Sequence, residues 1–156
     1  MQRIILIGLA VMLTACANTR VSHSLQIDAQ DSDRITWQAI KPEGDCSANR
    51  IVDFEFILEP SGVWKSNIKM LNWDRDYRPY WDNTLSLHIE LASGEIHAFD
   101  VLTDTLKART KRSFSPSGSW SFGKEYFAEL KAAKVMLIHN CHGLQESDLN
   151  VATHSL

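Results

Sequence analysis

The segment from Thr84 to Leu91 constrains the fold of this chain more than any other feature of its sequence. Apolar and polar residues alternate strictly along it, and the apolar set is Leu85, Leu87, Ile89 and Leu91. Successive side chains of a β-strand point to opposite faces, whereas a helix brings together residues three or four positions apart. The period of two therefore predicts a strand with one buried face, which needs a second apolar layer to cover it.

Several other segments share this extended character and are separated by turn signals. We predict further strands within 34–40, 50–58, 63–73, 96–103, 105–114 and 135–138. Residues 59–62 (Glu-Pro-Ser-Gly) and 92–95 (Ala-Ser-Gly-Glu) predict two hairpin turns. About seven or eight strands at this spacing are typical of a mainly β protein, and we expect an antiparallel β-sandwich. The pattern resembles immunoglobulin-like or related domains, without their Cys-Trp-Cys spacing, and a half-open barrel with a helical plug is the alternative.

One short helix is predicted near 123–134. Good helix formers are concentrated between Lys124 and Lys134, and Ser121 stands where an N-terminal cap is needed. Tyr126, Phe127 and Leu130 belong to a single apolar stripe at helical spacing. We therefore expect this helix to pack its stripe against the sandwich.

Residues 1–16 carry a separate signal. Arg3 is followed by an apolar run from Ile4 to Leu13, which is shorter than the roughly 20 residues that a membrane-spanning helix needs. The run ends in Leu13-Thr14-Ala15-Cys16, where small residues precede a cysteine. This sequence resembles the lipobox of bacterial lipoproteins. The resemblance implies export, cleavage before Cys16 and attachment of fatty acids such as palmitate through the Cys16 thiol and the new N-terminus.

The resemblance also implies a division of the chain. We expect a signal peptide over 1–15, the lipidated cysteine and a tether over 16–33 in which Val21 to Ile27 can already form a strand, the β-sandwich over 34–142 and a polar tail over 143–156. The residue after the cysteine is Ala17, whereas an Asp there resembles the inner-membrane retention signal of enterobacterial lipoproteins. We therefore expect a lipid-anchored protein of the outer membrane that faces the periplasm.

Two cysteines remain besides Cys16. Export to an oxidising compartment favours a disulfide between Cys46 and Cys141. Such a bond closes a loop of about 95 residues and stabilises the fold by roughly 4–5 kcal/mol on the chain-entropy model. Two buried free thiols are the alternative. The run His139-Asn140-Cys141-His142 suggests a metal site, but a second spaced pair of ligands is missing, so we expect neither a metal nor a cofactor.

The chain contains 16 basic and 19 acidic residues. This slightly acidic balance argues against a nucleic-acid partner. One basic strip stands out against this average, formed by Lys107, Arg109, Lys111 and Arg112. On a single strand the alternating members of the strip share one face. Such a face suits anionic lipid, acidic glycan or an acidic partner, and ordinary solvation of the charges is the alternative.

Aromatic and charged residues are densest in the 72–83 loop. Its candidate contact residues for a partner or ligand are Trp73, Arg75, Tyr77, Arg78, Tyr80 and Trp81. Trp, Tyr and Arg are enriched in binding hot spots because they combine a large contact area with a polar group. Aromatic rings beside carboxylates also suit sugar stacking. The alternative is that Trp73 and Trp81 fill the ends of the core.

Catalytic signals are weak. Ser, His and Asp occur without a nucleophile elbow or comparable setting, and we assign no catalytic residue. Two weak candidate acid–base sets remain: His88 and His97 with Asp100, and the carboxylates Asp74 and Asp82 for glycan hydrolysis.

The sequence thus favours a membrane-anchored, non-catalytic interaction module for an envelope protein or assembly. The alternatives are a lipoprotein that binds cell-wall glycan through the 72–83 loop, and an envelope hydrolase.

Overall fold

The computed structural model describes residues 18–28, 33–39, 42, 44–74 and 78–144. Within these residues the chain forms ten strands and two short helices. The strands are β1 (Asn18–Ser24), β2 (Gln26–Asp28), β3 (Ile35–Gln38), β4 (Asn49–Leu58), β5 (Val63–Asn72), β6 (Tyr80–Glu90), β7 (Ile96–Lys107), β8 (Thr110–Phe114), β9 (Ser117–Ser119) and β10 (Lys134–Leu144). The helices are α1 (Ser121–Glu125) and α2 (Phe127–Leu130). The predicted mainly β fold is confirmed as a sandwich of two antiparallel sheets with a short helical segment.

The first sheet contains four strands in the order β1-β10-β6-β7. The alternating residues of β6 behave as the sequence predicts, because Leu85, Leu87 and Ile89 are fully buried. Leu87 lies opposite Leu137 of β10 and Phe99 of β7. One face of this sheet is therefore apolar across its central strands, and it requires the second sheet as its cover.

The second sheet has the order β2-β3-β4-β5-β8, and β9 pairs with the first residues of β5. β4 and β5 form the predicted hairpin, in which the Glu59 amide donates to the Val63 carbonyl over 2.9 Å. Gly62 has a φ of 83° there, and a Cβ at this position would overlap the Trp120 carbonyl. Glycine is therefore needed in this turn for both its backbone angle and its lack of a side chain.

The core lies between the two sheets and is rich in aromatic residues. Phe56 stacks on Trp37 and on Trp64, with ring centroids 5.8 and 5.2 Å away. The other large, fully buried side chains are Ile35, Ile51, Phe54, Leu58, Met70, Leu85, Leu87, Ile89, Leu106 and Leu130. Leu130 is the residue through which α2 closes the core.

The helical segment differs from the single predicted helix. Ser121 is the first residue of α1 rather than its cap, and the chain leaves helical geometry at Tyr126. Gly123 is buried under the Trp120 ring, and a Cβ there would overlap the indole. The Trp120 packing therefore requires a glycine within α1, and glycine favours a helix less than any ordinary residue.

The segment 16–33, which we expected to be a tether, contains β1 and β2. β1 pairs with β10 along its whole length, from Asn18 opposite His142 to Ser24 opposite Met136. Its polar composition hides this role, because few of its residues face inward. Within the described residues, β1 thus begins at Asn18 and β10 continues to Leu144. The lipobox with Cys16 lies outside the described residues, as does residue range 145–156 of the predicted tail.

Leu87 tests the packing between the sheets. We expect Leu87→Ala to lower the free energy of unfolding by roughly 2–5 kcal/mol, because it removes a fully buried side chain. Val52→Ala on β4 is the matched control, since Val52 is 41% exposed, and it should change stability by less than about 1 kcal/mol. Urea denaturation measures both. Equal effects would contradict the two-layer core.

Candidate binding surface at the disulfide end

Cys46 and Cys141 lie at disulfide distance, with Cα atoms 5.9 Å apart, and they are 95 positions apart in sequence. Cys46 precedes β4 of the second sheet, and Cys141 belongs to β10 of the first. The bond therefore ties the two sheets together at one end, which we call the disulfide end. Trp81 is only 4% exposed and packs against both cysteines.

The structure separates the two tryptophans of the 72–83 loop. Trp81 is core, and its indole N–H donates to the Asp74 carboxylate over 2.9 Å. Trp73 is surface, with 54% of its area exposed. Arg75 and Tyr77 lie outside the described residues. Of the two predicted aromatic anchors at the loop ends, only Trp73 is thus available for contact with a partner.

Arg78 and Tyr80 complete the described part of the predicted contact set. The Arg78 guanidinium lies 5.7 Å from the centre of the Trp81 ring and donates to the Gly143 carbonyl over 3.4 Å. A Cβ at Gly143 would overlap the Arg78 side chain. Tyr80 is half-buried at the start of β6, opposite Leu144 and Lys107. Arg78 therefore stabilises the strand ends.

Trp73 borders a surface cleft of about 450 Å³ that is lined by Ser47, Ala48, Trp73, Asp74 and Trp81. The Trp73 amide donates to the Ala48 carbonyl over 3.0 Å, and the Asp74 amide donates to the Asn72 side chain over 3.0 Å. These bonds fix the backbone on either side of the exposed indole. The cleft offers one apolar ring with a carboxylate and a hydroxyl nearby, which suits binding rather than catalysis.

The basic strip is arranged differently from its prediction. A single strand over 105–114 is wrong, because β7 ends at Lys107 in the first sheet and β8 begins at Thr110 in the second. Arg109 has a φ of 58° in the turn between them, and the Ala108 amide donates to the Pro79 carbonyl over 2.7 Å. Lys107, Arg109, Lys111 and Arg112 are all exposed. They therefore flank a crossing between the sheets instead of sharing one strand face.

Acidic side chains near this end are engaged with neighbours. Arg112 pairs with Asp104 over 3.3 Å, and Arg50 pairs with Asp45 over 3.0 Å. Asp82 accepts a hydrogen bond from the Thr105 hydroxyl. Asp74 and Asp82 thus each hold a structural partner, which does not favour their use as a pair of hydrolytic carboxylates.

The other acid–base set is not brought together. His88 lies opposite Ala98 and His97 lies opposite Ile89, so the two imidazoles point to opposite faces of the first sheet. His97 contacts Glu95 over 2.9 Å, whereas Asp100 accepts from the Ser86 hydroxyl over 2.6 Å.

A buried histidine is the feature that sequence reasoning missed. His139 is 1% exposed, and its Nε2 lies 2.9 Å from the Asn83 side-chain oxygen. Burial, together with His23, lowers the pKa of His139 to about 3, and burial also lowers the pKa of His23. Alternation along β10 could have shown that His139 faces inward with Leu137 and Cys141. Among the described residues, no three His, Cys, Asp or Glu side chains form a cluster that could hold a metal.

Two comparisons, with protein-family models and with curated proteins, found no relative of this chain. Within the described part of the chain, none of the helices has the length and apolar character needed to cross a membrane.

The histidine pair predicts a pH-dependent stability. The folded state keeps His139 neutral, whereas the unfolded chain binds a proton near pH 6.5. Unfolding therefore takes up a proton between pH 6.5 and about 3, and the free energy of unfolding falls as the pH falls through that window. The loss from His139 should reach about 2 kcal/mol at pH 5 relative to pH 7, and His23 acts in the same direction.

Urea denaturation between pH 5 and pH 7 measures this slope above the range in which ordinary carboxyl groups titrate. His139→Gln should flatten it, whatever the variant does to stability at pH 7. A variant with the parent slope would show that His139 is not the group that takes up the proton.

Proposed function

We propose that this chain is an envelope lipoprotein whose β-sandwich acts as a non-catalytic interaction module for another envelope protein or assembly. The observation that carries the proposal is the position of β1. It begins at Asn18, so that only Ala17 separates the folded strand from Cys16. A lipid on Cys16 would hold the domain directly against the outer membrane, on its periplasmic side, without a long tether.

Anchoring at the disulfide end leaves the opposite end for a periplasmic partner. That end, which we call the helix end, contains α1, α2 and the turns at 59–62 and 91–95. Ile96 lies there and is 68% exposed, more than any other large apolar residue in the described part of the chain. It is the first residue of β7, the edge strand of the first sheet. Edge strands are ready templates for pairing with another chain.

Aromatic rings lie on the other face of this edge strand, because His97 follows Ile96 and successive side chains of a strand point to opposite faces. The His97 ring is 4.0 Å from that of Phe122, and Phe122 stacks on Tyr126 with centroids 4.5 Å apart. Phe122 and Tyr126 are half-buried, so each keeps part of its ring area for a contact. Rings held rigidly by stacking lose little conformational freedom on binding, which is the property that makes them effective anchors at protein interfaces.

Binding rather than catalysis is also supported by the polar groups. The carboxylates Asp74 and Asp82 are engaged in structural hydrogen bonds, and His88 and His97 face away from each other. The His139 side chain is buried and out of reach of a substrate at the surface. The described residues therefore offer surfaces for recognition more readily than a set of groups for proton transfer.

Glycan binding is the second candidate, because of the cleft beside Trp73. Its exposed indole provides an apolar face, and Ser47 and Asp74 provide polar groups at the cleft wall. This arrangement suits a sugar ring stacked on the tryptophan. The cleft lies at the disulfide end, next to the proposed anchor, which makes it less accessible to cell-wall polymer than the helix end.

The two surfaces are distinguished by crosslinking in the native envelope followed by mass spectrometry. Ile96→Lys should reduce the yield of a specific protein crosslink at least about tenfold, since a buried lysine charge is costly at an interface. Trp73→Ala is the matched control and should retain the crosslink. Both residues are exposed, so we expect each variant to keep its stability within about 1 kcal/mol.

Two results would overturn this proposal. One is a protein crosslink that survives Ile96→Lys unchanged. The other is the recovery of cell-wall fragments alone, lost in Trp73→Ala, which would establish the glycan function instead.

A further inference from the structure

We propose that the disulfide end of the sandwich is a docking surface for anionic phospholipid headgroups, an inference that rests on the proposed lipidation of Cys16. The sequence gives the basic strip three possible partners, namely lipid, glycan and protein. The fold favours lipid, because it places the basic strip at the same end of the sandwich as the start of β1.

The strand ends define that position. β1 starts at Asn18 opposite His142, near the end of β10, and β6 starts at Tyr80 opposite Lys107. The Asn72 side chain, at the end of β5, donates to the Leu106 carbonyl over 3.3 Å and joins the two sheets there. The first residue of β1, the basic turn after Lys107 and the end of β5 therefore belong to the same end of the sandwich.

The chain segment between the lipidated Cys16 and the first residue of β1 is short, so this end of the sandwich would lie close to the membrane. Two extended peptide units span at most about 7 Å, so the lipidated Cys16 keeps Asn18 close to the headgroups. That distance is shorter than the Debye length of about 8–10 Å at physiological ionic strength. Charges of the disulfide end that lie as close to the bilayer surface as Asn18 would therefore act on it with little screening.

The charges at this end have the sign that an anionic surface attracts. Arg20, Lys107, Arg109 and Lys111 are exposed there. Among the described carboxylates nearby, Asp45 and Asp104 pair with Arg50 and Arg112, whereas Asp74 and Asp82 accept hydrogen bonds from neutral groups, which do not cancel a formal charge. The six cations named for the described part of this end thus outnumber its four carboxylates, whereas the whole chain carries a formal net charge of −3. Each basic residue near an anionic membrane contributes about 1 kcal/mol to binding.

Trp73 adds an apolar group to this surface. It follows Asn72 at the end of β5, and Asn72 lies opposite Thr110, the residue after Arg109. Tryptophan is enriched at membrane–water interfaces, where its ring lies at the level of the headgroups. An exposed indole beside exposed cations thus matches a phospholipid surface better than it matches a purely acidic protein.

The test uses the lipidated protein in vesicles of phosphatidylcholine, with or without about one third phosphatidylglycerol. A water-soluble amine reagent labels exposed lysines, and mass spectrometry reports the rate at each site. We expect Lys107 and Lys111 to react at least about threefold more slowly in the phosphatidylglycerol vesicles. Lys65 and Lys124, exposed near the helix end, should react at the same rate in both. Equal rates for all four lysines would overturn the inference.

The same spectra report the mass of the residue at Cys16 and so separate the anchor from the surface. If Cys16 carries no lipid, the proposed function fails, and sedimentation of the unmodified protein with the same vesicles decides the inference. Binding that Lys107→Glu with Lys111→Glu weakens at least about tenfold, and that Lys65→Glu with Lys124→Glu leaves unchanged, would support the surface alone. No binding to either vesicle would overturn it.

Discussion

The bond between Cys46 and Cys141 is the constraint on which the organisation of this molecule depends. It joins the segment before β4 to β10 and therefore fixes one sheet on the other at a single end. Trp81 fills the space beside the two sulfur atoms, and its indole holds Asp74. The segment after β5 is positioned in the same way, since Trp73 bonds to Ala48 two residues after Cys46. The exposed indole is thus displayed by a covalently fixed framework.

The two ends of the sandwich differ in chemistry. The disulfide end combines exposed cations with one exposed tryptophan, whereas the helix end presents Ile96 on one face of β7 and stacked aromatic rings on the other. A short connection from β1 to Cys16 explains why such a difference would be useful. An anchored domain needs one surface that tolerates headgroups and another that recognises a partner. In our account these are opposite ends of the same fold.

The period-two patterns were sufficient to predict the hairpins of β4 with β5 and of β6 with β7, because β5 and most of β6 bury alternate residues. A strand within 21–27 was expected, but as part of the tether, since its neighbours in sequence are polar and its partner β10 is distant in sequence. The break between β7 and β8 was missed because Ala108 and Arg109 lack the usual turn residues, and Arg109 adopts its positive φ without glycine.

The candidate surface was predictable only in part. Sequence identified the 72–83 loop but could not tell Trp73 from Trp81, because the burial of Trp81 depends on a disulfide and on Asp74. The contact of His139 with Asn83 joins residues 56 positions apart, and no local pattern reports such a pair. The basic strip and the start of β1 lie at the same end of the sandwich, at opposite edges of the first sheet, and this likewise follows only from the strand pairing.

The central claim is that a lipid on Cys16 holds the disulfide end at a membrane. Intact mass spectrometry of the protein extracted from its native envelope tests this most directly. Our account predicts a chain that begins at Cys16 and carries the added mass of a diacylglyceryl group and a fatty acid. A chain with another N-terminus, or with an unmodified thiol at Cys16, would contradict the account.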